Sequence, residues 1–133
     1  MNELFIAFDR VKESLGTGHI VRVIRMIEDL ADHSLLSGSN SKFSLITNSN
    51  SQSEKFQSIF VHDPDEALKK IDELIDLQKV DVICFDCLDF CSDSFETCNK
   101  NGVLTVGIDT SFKHSAGLDI LINPVIKNTQ SFL

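Results

Sequence analysis

Short apolar runs alternate with helical periodicities along this chain, and that alternation limits its folds more than any other feature. The runs are residues 4–8, 43–47, 59–61, 80–86, 103–108 and 120–122. The first, Leu4-Phe5-Ile6-Ala7-Phe8, is unbroken, as expected of a strand buried on both faces. Three segments between the runs have helical spacing. Over residues 19–33, Ile20, Val23, Ile24, Ile27, Leu30 and Ala31 recur at steps of three and four and form one apolar stripe. Asp63-Pro64-Asp65-Glu66 has the makings of a helix start, with a capping aspartate, a proline at the first position and a glutamate three after the cap. Ala67, Leu68, Ile71, Leu74 and Ile75 then face a core. Residues 93–101 make a third helix, stopped by Asn101-Gly102. Residues 34–42 and 48–53 are polar and read as loops. The resulting order, β-loop-α-β-β-α-β-α-β-β, predicts an α/β fold: a Rossmann-like three-layer sandwich with a mainly parallel sheet. Residues 1–133 are expected to form one such domain, a size that buries a core without disulfides or metals.

Charge and hydropathy narrow the partners. The formal net charge is −8, which argues against a general nucleic-acid binder. A local anion site stays open, because backbone N–H groups bind phosphate without a basic chain. No run approaches the roughly 20 apolar residues of a membrane span, and Met1-Asn2-Glu3 lacks a basic leader, so a cytoplasmic setting is expected. The four cysteines, Cys84, Cys87, Cys91 and Cys98, have spacings of three, four and seven that fit no common zinc pattern. They are expected to be free thiols, with no metal and no cofactor.

In an open parallel sheet, ligands bind beyond the carboxyl ends of the strands. At the exit of the first strand stand Asp9 and Arg10, then Gly16-Thr17-Gly18-His19 at a helix start. Two glycines let backbone approach a ligand, and the unpaired N–H groups of a first helical turn favour an anion. A histidine there is held toward its neutral form, which serves as a general base near pH 7. A tight turn with a surface histidine has the same spacing. A dinucleotide site is disfavoured, since Val21 takes the third glycine position and Thr47-Asn48 ends the second strand where an acidic residue would be needed. Asp86, Asp89, Asp93 and Asp109 gather near two strand exits and read as solvated loop and capping acids rather than a cation site.

The element Gly16-Thr17-Gly18-His19-Ile20-Val21-Arg22, after an apolar strand ending at Asp9, resembles the N-terminal signature of the PseG/SpsG family. These are sugar-nucleotide hydrolases and spore-coat-polysaccharide-type glycosyltransferases of the GT-B fold. Residues 80–86, Gly107-Ile108-Asp109 and residues 118–123 resemble later segments of the same N-terminal domain, in order. The chain differs where the family has an arginine before the first aspartate (here Ala7 and Phe8) and where Thr110 replaces the second acid of a pair. The resemblance implies the N-terminal half of a GT-B protein acting on a UDP-sugar or related sugar nucleotide, in nonulosonic (pseudaminic) acid or surface polysaccharide biosynthesis. It implies His19 as the general base, with Asp9, Gly16, Thr17, Gly18, Arg22 and Asp109 toward the substrate. It also implies a C-terminal nucleotide-binding domain beyond the 133 residues, without which catalysis would be poor, or self-association in its place. The alternative reading is a non-catalytic binding or assembly domain that keeps the fold.

Overall fold

The computed structural model of the chain describes residues 1–8, 18–50, 52–86, 92–108 and 117–122. Their elements follow the order β1 (Asn2–Ala7), α1 (Gly18–Leu36), β2 (Lys42–Thr47), β3 (Gln57–Phe60), α2 (Pro64–Asp76), β4 (Val82–Asp86), α3 (Ser92–Lys100), β5 (Leu104–Ile108) and β6 (Ile120–Ile122). All pairings are parallel, and the sheet order is β3-β2-β1-β4-β5-β6. The chain winds outward from β1 to β3, returns to the centre at β4, and winds outward again to β6. The direction reverses between β1 and β4. The α/β, Rossmann-like architecture expected from the alternation is the one found.

Pleating sorts the side chains of β1 into two cores. Leu4, Ile6 and Phe8 join Ile46, Ile83 and Phe85 on one face, under Ala67, Ile71 and Ile75 of α2 and Phe95 and Cys98 of α3. Phe5 and Ala7 join Phe43, Leu45, Cys84, Val106 and Ile108 on the other, under Ile20, Val23, Ile27 and Ala31 of α1. Phe5, Phe85 and Phe95 are almost wholly buried, each stabilising the fold by about 1.5–3 kcal/mol relative to an exposed ring.

Handedness decides which face each connection takes. A right-handed crossover from β1 to β2 puts α1 on one face; the crossovers from β3 to β4 and β4 to β5 run the other way and put α2 and α3 opposite. The β2–β3 connection has no helix among its described residues. Phe56 buries its ring in the α1-side core, so this connection lies on α1's face, as right-handedness requires. It is tied to α1 by Ser53 Oγ donating to Glu28 Oε2 (3.2 Å) and Lys55 Nζ to Asp32 Oδ2 (2.9 Å).

Several boundaries differ from the sequence expectation. Residues 34–36 are helical, not loop: α1 continues to Leu36 because Ser34 is buried and its hydroxyl lies 2.6 Å from that of Ser39. Leu30 is 37 % exposed and lies off the buried stripe. The third strand begins at Gln57 and ends before Val61, which is buried and donates its N–H to Thr47 O (3.0 Å). The capped start of α2 stands as expected: Glu66 N–H donates to Asp63 Oδ1 at 2.9 Å, while the Glu66 carboxylate accepts from the N–H of His62, one residue before the cap.

Candidate functional site

The carboxyl ends of the three central strands lie side by side as Thr47, Ala7 and Asp86. Between Ala7 and Asp86 is the point where the winding direction reverses. In open parallel sheets such a switch point is where ligands bind. α1 follows β1 and begins at Gly18.

Asp86 ends β4 and is in phase with Val82 and Cys84, so it is directed to the face that α1 covers. There it meets Arg22. Arginine Nη2 donates to Oδ1 at 2.6 Å and Oδ2 at 2.8 Å, and Nε donates to Oδ2 at 3.2 Å. The Asp86 side chain is 5 % exposed and that of Arg22 34 %. Helical side chains lean toward the N-terminus of their helix, and residues four apart share a face. The guanidinium of Arg22 therefore reaches back over the turn that starts at Gly18. The ion pair thus ties the second turn of α1 to the carboxyl end of β4.

Thr47, fully buried, closes the neighbouring strand end. Its Oγ1 accepts from the N–H of Ser49 at 3.2 Å and lies 3.1 Å from Ser49 Oγ. No acidic side chain occupies the first turn of α1, whereas Asp65 and Glu66 occupy that of α2. The positive end of α1 is thus not offset by its own first-turn residues.

Of the residues singled out in the sequence, Gly18, His19 and Arg22 lie in the first two turns of α1. Asp9, Gly16, Thr17 and Asp109 lie outside the described residues, as do Arg10, Asp89, Cys87 and Cys91. Asp86 is not the solvated loop acid the sequence reading makes it. It is a buried strand residue paired with a cation 64 positions earlier, and the signal was its place in phase with Val82 and Cys84 at the end of an apolar run. Cys84 and Cys98 are buried free thiols in opposite cores, so the sheet itself separates them. Among the described residues no group of three or more His, Cys, Asp or Glu side chains comes together, and no helix is long and apolar enough to cross a membrane.

A broad, open hollow of about 1540 Å³ lies at the other end of the sheet, around the amino ends of β1 and β2 and the edge strand β3. Asn2, Lys42, Phe56, Lys70 and Lys79 are among the residues that line it, and it shares none with the Arg22–Asp86 pair. No family model matches the chain, and no curated protein matches it.

Proposed function

We propose that this chain is the N-terminal domain of a sugar-nucleotide hydrolase or glycosyltransferase of the PseG/SpsG type, with the β1–β4 switch point as its substrate site and His19 as general base. The observation that carries the reading is the start of α1 at Gly18, directly beside the switch point, with Arg22 one turn on. Backbone N–H groups at a helix start suit the pyrophosphate of a sugar nucleotide. A neutral imidazole at that position suits removal of a proton from the water or acceptor hydroxyl that displaces the nucleotide. The Gly16-Thr17-Gly18-His19 element supplies the residue types for both tasks.

The test is release of UDP from a UDP-linked 6-deoxy diacetamido sugar by this domain joined to the C-terminal nucleotide-binding half that the reading implies, with and without His19→Ala, and with UDP affinity measured by calorimetry. A general base contributes about 10²–10⁴ in rate, so turnover should fall by that factor while UDP affinity stays within about threefold. Unchanged turnover would remove His19 from the role. A protein that, with that half present, neither binds UDP nor releases it would overturn the whole reading.

A further inference from the structure

We infer that Asn101 is a site of spontaneous covalent modification, in which its side chain cyclises onto the Gly102 backbone, and that the last turn of α3 gates the reaction. The inference does not depend on the sugar-nucleotide reading.

Asparagine is followed by glycine at a single place in the sequence, Asn101-Gly102. That pair fixes the chemistry. The backbone nitrogen of Gly102 gives up its proton and attacks Cγ of Asn101. A new C–N bond closes a succinimide ring, the Cγ–Nδ2 bond breaks, and ammonia leaves with the proton. Water then opens the ring at either carbonyl, giving aspartate or isoaspartate. Water is the sole co-reactant. Glycine permits the attack because no Cβ shields its nitrogen.

Both residues are exposed just beyond α3. Gly102 has φ +72°, and a Cβ built there would meet nothing within 4 Å, so the ring has room to form. Both reacting groups are nevertheless engaged. Asn101 Nδ2 donates to Thr97 O at 2.8 Å, and the Gly102 N–H donates to Asn99 O at 3.2 Å. The first bond turns the leaving amide back along the helix, away from Gly102. The second holds the proton that the nucleophile must lose. Ring closure therefore waits for both bonds to open.

That opening is local. A helix of nine residues is not stable without packing, and the anchors of α3 are Phe95 and Cys98 in the core. Asn99 and Lys100 are exposed, so the end can unwind while Phe95 stays in place. Modification would then keep the gate open. An aspartate at 101 has no donor to offer Thr97 O, and it adds a negative charge at the negative end of the helix. Isoaspartate also adds a methylene to the main chain between the helix stop and β5.

The experiment ages the full chain at neutral pH, native or in urea, and reads the amide-to-acid mass change. Cleavage after Lys100 and Lys113 isolates residues 101–113, in which Asn101 is the sole side-chain amide. The native chain should convert about tenfold more slowly than the unfolded one, as two hydrogen bonds require. Thr97 is exposed within α3, so Thr97→Ala should slow native conversion and Thr97→Gly should speed it, with about fivefold between them and no difference in urea. Equal rates in native and unfolded chains, or native rates indifferent to residue 97, overturn the gate. No conversion in urea overturns the site, and so does a native chain that never converts while the unfolded one does. Asn101→Gln keeps a donor amide but would have to close a larger ring, and it should abolish the conversion; persistence overturns the assignment to Asn101. Asn101→Asp should lower the protection of the Val103 amide, which donates to Cys98 O, against hydrogen exchange by severalfold. Unchanged protection overturns the link between the side-chain bond and the turn.

Discussion

Burial sets the chemistry of Cys84 and Cys98. The Cys84 thiol is pushed up to about 12, first by burial and then by the Glu3 carboxylate. That of Cys98 is pushed up to about 11, again chiefly by burial, with Asp72 and Asp119 adding to it and a backbone hydrogen bond opposing. The thiolate is the reactive form, so both should resist alkylation. At pH 8, iodoacetamide should leave the peptides containing Cys84 and Cys98 unmodified in the native protein and modify them in urea; rapid native labelling of either would contradict their placement. The linkage has a definite sign. The folded chain keeps these protons where the unfolded chain has lost them, so their contribution to stability is complete below about pH 9 and disappears as pH rises through about 11 and 12. The burial of Cys84 was legible from its place in an apolar run, while that of Cys98 depends on how α3 packs on the sheet. The pairing of Asp86 with Arg22 was not. Nothing local marks its partner, which stands 64 residues away and is brought near only by the pairing of β1 with β4.

Among the described residues the three helices end by one device, and one of them uses an awkward residue for it. At the end of α1, Gly38 has φ +75°, Gly38 N–H bonds Leu35 O (3.2 Å) and Ser39 N–H bonds Ser34 O (3.0 Å). At the end of α3, Gly102 has φ +72° with the same pair of bonds to Asn99 O and Cys98 O. At the end of α2 the left-handed position belongs to Gln78, φ +54°, with bonds to Ile75 O and, from Lys79, to Leu74 O. Both bonds satisfy carbonyls that a helix end would leave unpaired. A side chain in this conformation is strained by about 1 kcal/mol or more, which glycine avoids. Gln78→Gly should therefore raise stability by about 0.5–1 kcal/mol in urea unfolding, and Gly102→Ala should lower it by about 1 kcal/mol. The second loss would be purely conformational, because an added Cβ at Gly102 meets nothing within 4 Å. A reversed sign in either variant would refute the common device. The stop at Asn101-Gly102 was readable, whereas that at Gly38 was obscured because a buried serine, fixed by Ser39, carries α1 past residue 33. Gln78 carries no sign of its conformation, which follows from the chain turning toward β4.

The sheet gives its strands unequal protection. β1 and β4 are paired on both sides and covered on both faces, while β3 and β6 are edges. Ile120 and Ile122 of β6 are 45 % and 46 % exposed, and Phe60 of β3 is 56 % exposed. Amide exchange followed by NMR should place β1 and β4 in the slowest class, open only through global unfolding, with β6 and β3 exchanging through local opening. β6 amides as slow as those of β1 would count against this ranking. This layout was readable at the level of element order, since unbroken apolar runs belong in the interior of a parallel sheet and short or interrupted ones at its margins. The reversal between β1 and β4 has a consequence in time. A ribosome delivers Arg22 and the whole β1-to-β3 half before Asp86 is added, so that half lacks its central neighbour while it waits. The β1–β4 seam comes into being when β4 docks, and arrival of the carboxylate beside the guanidinium marks that junction, with β5 and β6 still to add outside it. A newborn chain that has closed this ion pair has joined its two halves and has only its outer strands left to place.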